Sequence, residues 1–177
     1  MPRITVAEQK ATDLLARLGI DKIPVPVQEI AERCGAQVTY DRFEGDISGM
    51  LLREAGRIII GVNSWHANTR QRFTIAHEIG HLEMHPGQPV YIDREVRVNL
   101  RAGQTDREEV QANGFAAELL MPRAWLHTAM EDLVARKPDL TSSDLIGHLA
   151  EQFDVSPAAM QHRLVNLGEL NPYLLAG

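Results

Sequence analysis

Apolar positions near the amino terminus repeat with the spacing of two amphipathic helices. The first helix is predicted to begin at the capping-box pattern Thr5-Val6-Ala7-Glu8 and to end at Gly19. A second, shorter helix is predicted over Val27–Cys34, because a glycine follows it directly. Both helices present one apolar face and are expected to cover a core.

Three β-prone runs follow these helices. Ala36–Tyr40 alternates like a strand, and Ile47–Leu52 and Arg57–Val62 are separated by a short polar segment that is typical of a hairpin. Ile47–Leu52 precedes the next predicted helix. As an edge strand it could take up an extended polypeptide by β-augmentation, and as an inner strand it would only build the core. The sequence leaves both interpretations open.

Helical patterns fill most of the remaining chain, whereas residues 88–104 are predicted to be irregular. The predicted helices are Thr69–His85, Thr105–Met121, Pro122–Arg136, Ser143–Phe153 and Pro157–Leu167. Helices, a small sheet and further helices indicate an α+β fold. Residues 1–136 are predicted to form one domain, and residues 137–177 a small helical subdomain packed on it.

The composition is that of an ordinary globular protein, with 177 residues of which 44% are hydrophobic and 24% charged. A net charge of −6 and an aromatic content of 5% disfavour a stand-alone nucleic-acid binder. The single cysteine, Cys34, excludes an internal disulfide and suits a reducing compartment. No signal peptide or membrane-spanning run is recognised, so the sequence predicts a cytoplasmic protein without membrane contact.

The strongest chemical signal is His77-Glu78-Ile79-Gly80-His81 on the helix predicted from Thr69. His77 and His81 are one helical turn apart, so both imidazoles lie on one face and can bind one Zn²⁺. Glu78 can point at a metal-bound water instead of the metal and accept its proton. This spacing is the zinc-hydrolase pattern.

A catalytic zinc site needs a third protein ligand and a water. His85 is disfavoured because it lies about 12 Å along the helix axis from His77, and it is expected to cap the helix end. Glu109 is the favoured ligand. Glu108 is the alternative, but the capping-box pattern at the start of its helix gives Glu108 a competing role. Asn113 shares a face with Glu109 and could hold the free N–H of a liganding histidine.

Two segments together resemble the ImmA/IrrE family of zinc metallo-endopeptidases. They are Arg72–His81 (RFTIAHEIGH) and Glu109–Pro122 (EVQANGFAAELLMP), and the likeness extends over most of the chain. The resemblance implies a zincin-like metalloprotease core, a small sheet with active-site helices, followed by a helical subdomain that resembles a helix-turn-helix.

The resemblance also implies roles and a partner. His77 and His81 match the zinc ligands of the family, Glu109 its carboxylate ligand and Glu78 its catalytic glutamate. Members of the family cleave a helix-turn-helix repressor of the Xre type, which releases the genes that the repressor controls. An Xre-type repressor or antitoxin is therefore the expected protein substrate.

A group that stabilises the oxyanion of the reaction is also expected near the metal. The candidates are four side chains that lie close to the motif in sequence: Tyr91, Arg97, Arg101 and His85. No spacing rule selects one of them.

Two other functions remain open at the level of sequence. The protein could sequester the repressor without cleaving it, or residues 143–167 could form a DNA-binding helix-turn-helix while the zinc is structural. The second helix of that segment offers Arg163 as its one lysine or arginine, beside His162, and the acidic net charge also disfavours DNA binding.

Overall fold

Seven helices and four strands make up the residues that the computed structural model describes, which are 4–87, 89–94 and 104–170. In chain order they are α1 (Val6–Leu18), α2 (Val27–Arg33), β1 (Ala36–Asp41), β2 (Ile47–Glu54), β3 (Arg57–Asn63), α3 (Asn68–Met84), β4 (Val90–Arg94), α4 (Gln104–Leu120), α5 (Arg123–Arg136), α6 (Ser142–Phe153) and α7 (Pro157–Leu167). The predicted α+β class is confirmed.

Local capping explains why α1 and α7 begin where the sequence predicts. The Thr5 hydroxyl accepts from the Glu8 backbone N–H, and the Glu8 carboxylate accepts from the Thr5 backbone, which is a complete capping box. Gly19 then ends α1 in the left-handed conformation, with φ of 61°. At the other end of the chain, the Ser156 hydroxyl caps α7 as expected.

The four strands form one mixed sheet in the order β1-β3-β2-β4. Strands β2 and β3 form the predicted hairpin, closed by Ala55 and Gly56, whose positive φ angles of 49° and 77° suit a tight two-residue turn. Strand β1 pairs in parallel with β3, and β4 pairs antiparallel with β2.

The structure shows one expectation about this sheet to be wrong and decides between two interpretations that the sequence left open. Val90–Arg94 forms β4, within a segment predicted to be irregular, and β4 covers the free side of β2. Ile47–Leu52 is therefore an inner strand and cannot accept an extended polypeptide as an added strand. The apolar stretch of β4 is short, and its pairing partner β2 lies far away in sequence, so no local pattern predicts this strand.

Helix α3 lies at the centre of the molecule and packs against both β2 and α4. Gly80 allows the close contact with α4, because a Cβ there would lie 3.2 Å from both Ala112 Cα and Phe115 Cδ1. Gly49 allows the close contact with β2. The middle of α3, from Thr74 to His81, is buried on all sides as a result.

Replacing Gly49 by alanine is expected to lower the free energy of unfolding by about 1–3 kcal/mol. A Cβ at this position would lie 3.0 Å from the Gly61 carbonyl oxygen and overlap the methyl group of Thr74. Urea denaturation measures the effect. Gly147→Ala is the matched control, because a Cβ there meets nothing within 4 Å. An unchanged midpoint for Gly49→Ala would contradict the close packing of β2 on α3.

The two C-terminal helices share the hydrophobic core of the rest of the chain, through Phe153, Met160 and Leu164. Arg72 on α3 also binds the turn between them, since its guanidinium contacts the Asp154 carboxylate at 3.1 Å and the Asp154 carbonyl at 3.0 Å. The division of the chain at residue 137 remains a prediction. Among the described residues, no helix is both long and apolar enough to cross a membrane.

Candidate metal centre

Three side chains from two helices converge at the middle of the molecule. His77 and His81 lie on the same face of α3, and their Nε2 atoms are 3.0 Å apart. Glu109, in the second turn of α4, places Oε2 3.2 Å from His77 Nε2 and Oε1 3.2 Å from His81 Nε2. The structure thus brings together the three ligands that the sequence predicts. Glu108 instead lies near the Tyr91 hydroxyl, at 3.4 Å.

The chemistry of these donor atoms fits a metal ion. His77 Nδ1 donates to the Asn113 amide oxygen at 3.0 Å, so its Nε2 carries a free lone pair. Two imidazole lone pairs that face each other repel, and a cation between them and a carboxylate removes that repulsion. The donor separations are close to the value of about 3.3 Å that a tetrahedral ion with bonds of about 2.05 Å requires.

Charge at the cluster is arranged around Glu109. Burial alone would raise the pKa of the Glu109 carboxyl, but hydrogen bonds with His77 and His81 lower that pKa to about 2. Burial opposes a charge on His77, yet the hydrogen bond with Glu109 and the charge of Glu78 raise its pKa. Burial lowers the pKa of His81. The carboxylate of Glu109 is therefore available as an anionic ligand.

Glu78 is fully buried, and a carboxylate oxygen of it lies within 4.8 Å of a ligand atom of His77. Neither of its carboxylate oxygens has a hydrogen-bond partner within the described residues. Burial raises the pKa of Glu78 to about 8, and the nearby charges of Asp93 and Glu109 act in the same direction. A carboxyl group without a partner and with a pKa near neutrality is suited to accept and release a proton.

Strand β4 contributes a residue that the sequence analysis missed. Asp93 offers a carboxylate oxygen within 4.8 Å of ligand atoms of both His77 and Glu78, and Tyr91, two residues earlier, lies over His81 with ring centroids 4.1 Å apart. The two side chains share one face of the strand. No pattern in the sequence predicted this position, because β4 is placed by its pairing with β2.

The structure describes two of the four oxyanion candidates, Tyr91 and His85. The Tyr91 hydroxyl is directed at the Glu108 carboxylate and at the His85 carbonyl, 3.4 Å and 3.5 Å away. The His85 ring contacts Nδ1 of His81, on the side of that ring opposite its Nε2. As oxyanion donors both residues remain predictions. Arg97 and Arg101 lie outside the described residues, so they remain predictions.

A protein-family model described as Peptidase_M78, IrrE N-terminal-like domain, matches residues 31–165. The matched range contains α3, β4 and α4, and with them every residue of the cluster. The chain belongs to the Peptidase_M78 family. Membership confirms the resemblance stated from the sequence and implies a metallopeptidase with a metal at its active site.

The fold also occurs in a solved structure. A Mycobacterium tuberculosis transcriptional regulator is similar, with a TM-score of 0.63 and 18% sequence identity over 89% of this chain and 46% of the regulator. This chain therefore spans less than half of the regulator's length. At this identity the likeness concerns the fold alone. No curated protein matches the sequence of this chain.

A cavity of about 750 Å³ lies between α3, α4 and α7 in this Peptidase_M78 domain. Phe73 and Asn113 line it, and both of these residues contact His77. Met121, Val155 and Ala159 form part of its apolar wall. A cavity of this size can hold several side chains of a polypeptide.

The cation on which a DNA-binding helix-turn-helix would depend is not exposed. Arg163 on α7 is only 4% exposed, and its guanidinium contacts the carboxylates of Glu8 and Glu118. It also donates to the Met121 carbonyl at 3.3 Å. Arg163 therefore joins α7 to α1 and α4, and the helix has no other lysine or arginine to offer to a phosphate.

Proposed function

We propose that this protein is a zinc-dependent endopeptidase in which His77, His81 and Glu109 hold the ion. The observation that carries the proposal is the convergence of these three donors beside a buried carboxyl group, Glu78, that has no partner among the described residues. Two imidazoles and one carboxylate are the ligand set of hydrolytic zinc sites, which leave a further position for water.

When bound, Zn²⁺ would polarise the scissile carbonyl and acidify a water molecule. Glu78 accepts the proton of the attacking water and later delivers it to the leaving amine nitrogen. Asn113 holds the His77 ring in the orientation that presents Nε2 to the ion. The surrounding β2 and α4 exclude bulk water from Glu78, which keeps its carboxyl group responsive to the charge of the reacting water.

We propose an Xre-type helix-turn-helix repressor or antitoxin as the substrate, in the cytoplasm. Three facts support this class: the family resemblance, the occurrence of the same fold in a transcriptional regulator, and a cavity beside His77 large enough for polypeptide side chains. Direct binding of nucleic acid is disfavoured, because Arg163 is buried in ion pairs and the net charge is −6.

Removal of Glu109 should abolish zinc binding. In the Glu109→Ala variant two imidazoles remain, and we expect zinc content after dialysis to fall from about one ion per chain to near zero. Glu108→Ala is the matched control and should retain its zinc, since its carboxylate lies near Tyr91 rather than the histidines. Metal analysis of both proteins measures the effect. A fully loaded Glu109→Ala protein would contradict the ligand set.

The substrate can be identified in a host that expresses either the wild type or Glu78→Gln. Proteome-wide comparison of protein amino termini is expected to show a new terminus inside a helix-turn-helix protein with the wild type alone. If no terminus differs while the controlled genes are still induced in both hosts, sequestration of the repressor replaces proteolysis as the function.

A further inference from the structure

The second zinc histidine of the proposed site is held by another histidine. His81 Nδ1 lies 3.1 Å from His85 Nδ1, one helical turn further along the chain. The other nitrogen of His85, Nε2, lies 3.1 Å from the side-chain oxygen of Gln111 on α4. The three side chains form a continuous chain of hydrogen bonds from the metal centre to α4.

The direction of the two hydrogen bonds, His81–His85 and His85–Gln111, follows from the groups at the two ends, the metal side of His81 and the side-chain oxygen of Gln111. With the proposed metal ion between His81 Nε2, His77 Nε2 and Glu109, His81 Nε2 carries the lone pair and the proton resides on Nδ1. His85 Nδ1 must then accept that proton's hydrogen bond. The proton of His85 resides on Nε2, which donates to the Gln111 oxygen. With the metal ion bound, this assignment of protons satisfies every contact of the three side chains.

Other contacts keep His81 and His85 in place. The His81 carbonyl accepts from the His85 backbone N–H at 3.0 Å and from the Arg53 guanidinium at 3.2 Å. Tyr91 stacks on the face of the His81 ring. His85 therefore meets the edge of a ring whose face is already supported. Stacking does not distinguish the observed ring orientation from the one flipped by 180° about Cβ–Cγ, whereas the hydrogen bond between Nδ1 of His81 and His85 does.

We propose that His85 is a positioning residue, which fixes the tautomer and the orientation of His81 through the His81–His85–Gln111 hydrogen-bond chain. The inference rests on the proposed metal site. In this arrangement α4 has two functions. The helix supplies the ligand Glu109, and its side-chain amides hold both histidines: Asn113 holds His77 directly, and Gln111 holds His81 through His85.

Two substitutions at residue 85 separate the hydrogen bond from the packing of the ring. His85→Phe keeps an aromatic ring beside Tyr91 but has no acceptor for His81. His85→Asn places an amide oxygen near the position of Nδ1 and restores the acceptor. His127→Phe is the matched control, since His127 is exposed on α5 and contacts Glu131 there.

The readouts are zinc affinity, by competition with a chromophoric chelator, and the visible absorption spectrum of the Co²⁺-substituted protein. We expect His85→Phe to bind zinc roughly 10–100-fold more weakly and to alter the Co²⁺ spectrum, as the loss of an outer hydrogen-bond partner of a metal ligand commonly does. His85→Asn should stay within about threefold of the wild type, and His127→Phe should match it. Thermal unfolding of each metal-free protein checks that the variants fold.

Gln111→Leu tests the same hydrogen-bond chain without altering either histidine. If His85→Phe does not fold, this variant tests the proposed positioning role. It is expected to weaken zinc binding in the same direction by a smaller factor. Unchanged affinity and spectrum in His85→Phe would overturn the proposal, and so would an equal loss in His85→Asn and His85→Phe. A wild-type protein that binds zinc but cleaves nothing would overturn the proposed activity and leave this result intact.

Discussion

The Glu78→Gln variant is expected to bind zinc as tightly as the wild type and to hydrolyse its peptide substrate about a thousand-fold more slowly. Glutamine has nearly the same shape as glutamate but cannot accept the proton of the attacking water, and general base catalysis contributes about 10²–10⁴-fold to such reactions. Zinc binding is expected to be unaffected because the three proposed ligands, His77, His81 and Glu109, form a group of donor atoms that does not include Glu78.

The measurement is kcat for a peptide that spans the cleavage site, together with zinc content, for both proteins. Glu151→Gln on the exposed face of α6 is the matched control and should leave both values unchanged. A Glu78→Gln protein that cleaves at the wild-type rate would show that the buried carboxyl group is not the base. One that loses zinc would show that Glu78 is a ligand.

Arg163→Met is expected to lower the free energy of unfolding by about 3–5 kcal/mol. Arg163 is buried, and its guanidinium is the cation between the carboxylates of Glu8 and Glu118. Methionine has a similar volume but removes the buried cation from the two carboxylates, and leaves near them the more exposed guanidinium of Arg123, 3.9 Å from Glu8. The loss therefore comes from uncompensated buried charge more than from lost packing.

Neutralising the two acids tests this explanation. The triple variant Glu8→Gln/Glu118→Gln/Arg163→Met should recover at least half of the lost stability, because glutamine keeps the hydrogen bonds of Glu8 with Thr5 and of Glu118 with Thr12 without the charge. Urea denaturation of the single and triple variants provides the values. A triple variant that is as unstable as Arg163→Met would attribute the loss to packing instead.

The helices were predictable from sequence because their determinants are local. The capping box at Thr5, the glycine at position 19 and the Ser156 cap act within one helical turn, so a linear pattern contains them. Strand β4 depends instead on pairing with β2, and its short apolar stretch contains no turn signal. Its existence follows from tertiary packing, which no local pattern encodes.

The same distinction holds for the metal centre. The spacing of His77 and His81 fixes their common face, and the spacing from Glu109 to Asn113 puts both on one side of α4, so the ligands could be proposed from sequence. Asp93 and Gln111 reach the site only through the docking of β4 and α4. Arg163 pairs with acids on α1 and α4 that lie far from it in sequence, so no local pattern indicated that it is buried.

Strand β4 is hydrogen-bonded to β2 alone within the described sheet, and the chain between these two strands contains β3 and the whole of α3. Pairing β4 with β2 therefore closes a long loop, at an entropic cost that the β2–β3 hairpin avoids. Fraying of this one strand would lift Tyr91 and Asp93 from the histidines and, among the core residues of the described strands and helices, would expose Tyr91 first. Uptake and loss of the ion can then proceed by local opening, at a rate independent of global unfolding.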